Sequence, residues 1–96
     1  MANIYKQILD ATSEEEQLSM MNEEMGELLQ AISKYRRAKT PIEKEIAMHH
    51  LREEIADVEN MINQMKYMFD GVVGGESVID MFRKNKLERI KGILKL

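Results

Sequence analysis

Apolar residues fall along the chain in runs at helical spacing. Leu18, Met21, Met25, Leu28, Ile32 and Tyr35 recur at intervals of three and four, as do Met48, Leu51, Ile55, Val58, Ile62, Met65 and Phe69, the pattern of one apolar stripe on an α-helix. A shorter run, Ile4, Ile8 and Leu9, opens the chain, and Val78 to about Leu94 resumes the period with Leu87, Ile90 and Leu94. The spacing predicts a short helix over 3–10, two long helices and a final one.

Start and stop signals sharpen these boundaries. Ser13 followed by Glu16 is a capping box after the break at Asp10-Ala11-Thr12, because each side chain can satisfy a backbone N–H left unpaired at the helix start. Glu14 and Glu15 suit the positive end of the helix dipole, and this helix is expected to run to about Lys39. Thr40-Pro41-Ile42-Glu43 combines a capping threonine, a proline at the first helical position and a closing glutamate. Asp70-Gly71 is a natural stop, since glycine takes the left-handed cap conformation. The segment Gly71-Val72-Val73-Gly74-Gly75-Glu76-Ser77 reads as a hinge or turn. It lacks the Gly-Lys-Ser/Thr ending and the preceding strand of a phosphate loop.

The expected fold is therefore all-α, one domain over 1–96: a bundle of about four helices with two long antiparallel central ones. A chain of 96 residues buries only about 60 to 65 % of the surface its unfolded form exposes, so its own core is thin. The nine methionines suit a pliable core and an interface. With no cysteine, disulfides and thiolate metal sites are excluded. No apolar run approaches the roughly 18 residues that span a bilayer, and the first residues lack a signal peptide's apolar stretch, so no membrane association and a cytoplasmic location are expected. The net charge of −3 hides a division: residues 1–80 carry 8 basic and 16 acidic side chains, residues 81–96 carry 6 and 1. Because the basic residues of the last segment alternate with Leu87, Ile90 and Leu94, they read as one face of a helix. Such a face can pair with polyphosphate or with the acidic remainder, and nucleic-acid binding is not expected.

Against this background one acidic pattern occurs twice. Glu23-Glu24-Met25-Gly26-Glu27-Leu28 recurs thirty residues later as Glu53-Glu54-Ile55-Ala56-Asp57-Val58. Each copy lies near the middle of a long helix, so an antiparallel hairpin can bring the two level. At about 100° per residue, Glu54 falls among Val58, Met61 and Met65, and Glu24 among Leu28, Ala31 and Tyr35, inside the apolar arc. An isolated carboxylate there costs several kcal/mol, and two facing each other repel. A divalent cation removes both penalties. The spacing of three places Glu27 and Asp57 one turn along, within reach of the same ion, and Gly26 and Ala56 are small enough to let the backbones approach. All-oxygen ligation selects Mg²⁺, with Mn²⁺ as a substitute, and leaves coordination positions for water and phosphate oxygens. Glu23 and Glu53 are the candidates to orient or deprotonate an attacking water.

The Glu-Glu-x-x-Glu of Asn22 to Arg36 and the Glu-x-x-Asp of Glu54 to Asp57 resemble the MazG-like, all-α nucleoside triphosphate pyrophosphohydrolases, which include dimeric dUTPases and phosphoribosyl-ATP pyrophosphohydrolases. The likeness covers roughly residues 14–90. It implies Mg²⁺-dependent cleavage between the α- and β-phosphates of a nucleoside triphosphate, with metal ligands at Glu24, Glu27, Glu54 and Asp57. It also implies a homodimer or homotetramer, with neighbouring chains completing the core. The family's last helix carries a Lys/Asn/Arg group, and Lys84, Asn85, Lys86 and Arg89 look similar, which makes them candidates for phosphate contact.

Two other readings compete. A non-catalytic helical homo-oligomeric interaction module would use the apolar stripes as an interface and leave the acids on the surface. A di-iron bundle would need Glu-x-x-His pairs, which His49 and His50 do not form; His50, four residues before Glu54, is at most its neighbour.

Overall fold

The computed structural model of the chain describes residues 3–71 and 77–96. Four α-helices and no strand occur among them: α1 Ile4–Ala11, α2 Glu14–Arg37, α3 Pro41–Asp70 and α4 Val78–Leu94. Most of the turn expected over 71–77 falls on residues 72–76, outside the described residues.

Each helix starts where a side chain can replace the missing intrahelical partners. Asn3 Oδ1 accepts from the N–H groups of Tyr5 and Lys6, and Ser13 Oγ accepts from Glu16 N–H at 3.0 Å. Thr40 Oγ1 accepts from Glu43 N–H at 3.1 Å. The glutamates close their boxes differently from expectation: Glu16 accepts from the Ser13 hydroxyl, and Glu43 accepts from Lys39 N–H. α2 ends two residues earlier than expected, at Arg37. At the end of α3, Gly71 sits at φ 72° and donates its N–H to Tyr67 O, the left-handed cap that glycine adopts without a Cβ penalty.

Three residues, Ala38 to Thr40, separate α2 from α3, and near this connection the Lys44 ammonium stands 4.5 Å from the centre of the Tyr35 ring. These two helices make the principal packing of the chain, and α1 lies against α3. There Asn63 Nδ2 donates to Tyr5 Oη at 3.0 Å. At the α1–α2 corner Thr12 Oγ1 donates to Ile8 O and accepts from Gln17 Nε2, both at 2.8 Å.

The contact between α2 and α3 covers less of each apolar stripe than the spacing suggests. Among the described residues only Ala31, Val58 and Met61 are buried apolar side chains, while Met25, Ile32, Ile55, Ile62 and Phe69 are exposed. A single neighbouring helix shields a narrow arc, so the line Gln17, Glu24, Ala31 faces inward on α2 and the rest of the arc stays uncovered. The buried side chains of α3 are Glu54, Val58, Met61 and Gln64.

α4 is joined to α3 at its root. Asp80, 3 % exposed, accepts from the Ser77 hydroxyl at 2.7 Å, from Lys66 Nζ at 3.0 Å and from Arg83 Nε at 3.2 Å. Ser77 Oγ in turn accepts from Asp80 N–H, and Asp70 accepts from Ile79 N–H at 2.8 Å. Beyond this clasp every residue from Met81 to Leu96 is exposed. No helix among the described residues is long and apolar enough to cross a membrane.

Candidate metal centre

The acidic repeat places its carboxylates where the two long helices meet. Glu24 and Glu27 project from α2 and Glu54 from α3, and one carboxylate oxygen from each lies within 4.8 Å of the others. Glu54 is 7 % exposed, between Val58 and Met61 at 8 % and 4 %. The side chain thus occupies the apolar line that its place on the helix predicts.

Burial and mutual repulsion both act on this group. Glu54 is raised above its ordinary value of 4.5 by burial first and then by the charges of Glu27 and Asp57, partly offset by His50. Glu24 is raised by burial and by the charges of Glu27, Asp57, Glu54 and Glu23. Glu24 Oε2 and Glu54 Oε2 are buried with no hydrogen-bond partner. A buried acceptor left unpaired is costly, and two of them on carboxylates of one cluster suit a ligand that brings positive charge. The donors are all carboxylate oxygens, the type that hard divalent cations such as Mg²⁺ and Mn²⁺ take, so the residues present fit such an ion.

The remaining predicted residues are placed less centrally. Asp57 is exposed and outside the 4.8 Å group, although its charge acts on both Glu24 and Glu54. Glu23 is exposed on α2 beside Glu24. Glu53 is exposed too and pairs with His49, Oε1 to Nε2 at 3.1 Å. His50 stands 3.9 Å from Glu54 Oε1 with its side chain 46 % exposed. Lys84, Asn85, Lys86 and Arg89 are exposed on α4, and no hydrogen bond or ion pair among the described residues links them to the carboxylates. The role expected of the small residues is corrected: a Cβ on Gly26 would meet nothing within 4 Å, and Ala56 is exposed. Both lie some 200° around their helices from Glu24 and Glu54, away from the α2–α3 seam.

Two buried polar residues were not singled out from the sequence. Gln17, fully buried, and Gln64, 7 % exposed, each keep an unpartnered amide oxygen, Oε1. Gln17 precedes Glu24 by seven residues and Gln64 follows Asp57 by seven, the spacing that keeps a side chain on one helix face. Extending the acidic repeat by two turns in each direction finds both.

No family model matches the chain, and comparison with curated proteins and with solved structures gives no match.

Proposed function

We propose that the chain is a Mg²⁺-dependent nucleoside triphosphate pyrophosphohydrolase of MazG-like type, cleaving the α–β phosphoanhydride to give the monophosphate and pyrophosphate. The observation that carries this reading is the convergence of Glu24, Glu27 and Glu54 within 4.8 Å, with buried, unpartnered oxygens on Glu24 and Glu54. The reading takes α2 and α3 as antiparallel. The three-residue connection and the Tyr35–Lys44 contact beside it support that arrangement, because they fold the chain back on itself.

In this reading Glu24, Glu27, Glu54 and Asp57 hold the cation. When bound, the cation neutralises charge on the phosphates and on the departing pyrophosphate. Glu23 orients and deprotonates the attacking water and is better placed than Glu53, whose carboxylate is engaged by His49. Lys84, Asn85 and Arg89, exposed on α4, donate to phosphate oxygens. The working form is a homodimer or homotetramer, a reading supported by an apolar core of three residues among the described ones and by the exposed stripes on α2 and α3.

A panel of nucleoside triphosphates assayed for pyrophosphate release, with Mg²⁺ and with chelator, tests the proposal. Metal-dependent pyrophosphate from at least one triphosphate is the expected result. No release from any of them, together with no thermal shift on adding Mg²⁺, leaves the non-catalytic interaction module as the reading.

A further inference from the structure

The chain exposes more surface than a compact monomer of its mass. Its accessible area is 7530 Å², against about 5,700 Å² for a folded monomer of 11.2 kDa. The radius of gyration, 16.6 Å, exceeds the roughly 12.5 Å of a compact domain of this length. The excess area, on the order of 1,800 Å², is more than the roughly 800 Å² that each partner buries in a stable interface.

Much of this surface is apolar and lies on α4. Past the clasp, Phe82, Leu87, Ile90, Ile93 and Leu94 occupy one half of the helix, each 50 % exposed or more. Arg83 and Lys86 fall within that half and Lys91 borders it. On α3 an uncovered line of matching length exists: Ile55, Ile62 and Phe69, seven residues apart, are 48 %, 42 % and 54 % exposed. That line spans about 21 Å and the α4 row about 18 Å. The exposed row on α2, Met25, Leu29 and Ile32, spans only about 10 Å. Charge is complementary too, since residues 81–96 carry 6 basic and 1 acidic side chain and α3, Pro41–Asp70, carries 3 and 7. Glu59 is exposed along the α3 line.

We infer that α4 is an exchange arm: it leaves its own chain at the Asp80 clasp and lays the row from Phe82 through Leu87 and Ile90 to Leu94 along Ile55, Ile62 and Phe69 of a second copy, reciprocally. Self-association through this surface goes beyond the assembly proposed above by naming its two faces, and it stands whether or not the carboxylates hydrolyse a nucleotide. The salt dependence follows from the charges: basic α4 on acidic α3 binds more tightly as ionic strength falls.

Sedimentation equilibrium of the full chain and of the Leu87→Glu/Ile90→Glu double variant tests the arm. The wild-type chain is expected at an even multiple of 11.2 kDa, with association weakening as salt is added. The double variant is expected to raise the dissociation constant by on the order of 100-fold or more while circular dichroism stays that of a helical chain, because both positions are exposed. The chain has no cysteine, so mixing Ile62→Cys with Ile90→Cys reports the contact directly, and the mixed disulfide is the expected product. A monomeric wild-type chain, an assembly indifferent to the double substitution, or disulfides between like positions only would each overturn the arm.

Discussion

Glu24 of α2 and Glu54 of α3 bring carboxylate oxygens within 4.8 Å of each other across the helix seam, and Oε2 of each is buried with no hydrogen-bond partner. Glu54→Gln removes one of the two repelling charges and keeps the shape. In the presence of chelator the variant is expected to melt at a higher temperature than the wild-type chain at pH 8. With Mg²⁺ its pyrophosphate release is expected to fall by on the order of 10²-fold or more. A thermal melt and a pyrophosphate assay on one preparation check both; full activity in Glu54→Gln refutes the site.

The stability of the metal-free chain is expected to depend on pH with a maximum near pH 4 to 5. Glu24 and Glu54 are raised above 4.5 by burial and by neighbouring carboxylates, so between 4.5 and their folded values the folded state holds more protons than the unfolded one. Stability therefore falls as pH rises through that window. Asp80 is held well below its ordinary value of 3.8 by hydrogen bonds from Ser77 and Lys66, so its contribution is present above 3.8 and lost on further acidification. Urea melts between pH 3 and 8 in chelator show the maximum, and the decline toward pH 8 flattens in Glu24→Gln/Glu54→Gln.

Asp80→Asn tests the clasp. The amide keeps the shape of the carboxylate but loses the charge that draws Lys66 and Arg83 to it. The expected outcome is faster hydrogen exchange at the amides of Ile79 to Arg83, with the exchange of α2 unchanged. Equal acceleration throughout the chain would mean that the clasp supports the whole fold and not the root of α4.

With three buried apolar side chains among the described residues, Met61 carries a disproportionate share of the core. Met61→Ala is expected to cost about 2 to 4 kcal/mol, read from denaturant midpoints at fixed protein concentration. A cost below about 1 kcal/mol would show that the α2–α3 seam is not the stabilising core.

Gly26→Ala is expected to stabilise the chain by about 0.5 to 1 kcal/mol, because a mid-helix glycine gives up more backbone freedom on folding than alanine and open space surrounds the new methyl group. Chemical denaturation measures it.

The sequence made the helices legible because their signals are local. Ser13, Thr40 and Gly71 act within a turn of the backbone they cap, and each lies at its expected boundary. The convergence of Glu24 and Glu54 was also legible, since the helical period puts an acid inside an apolar arc. The period does not say how much of the arc a neighbour covers, and for that reason Met25, Ile32, Ile55 and Phe69, read as core, are exposed. Nor does it reach across 14 residues to pair Lys66 with Asp80. The two buried glutamines escaped for a simpler reason: a glutamine on an apolar line looks like ordinary helix surface until its oxygen is found without a partner.

The clasp at Asp80 also makes the far end of α4 sensitive to its near end. The helix is a stiff rod of about 25 Å fixed at one root, so a tilt of about 10° there swings Leu94 by about 4 Å, roughly the width of a methyl group. Substitutions at Ser77, which is buried at the root and contributes nothing to the apolar rows, are thereby able to misdirect the tip and register as faults in recognition, while the residues that do the recognising remain intact.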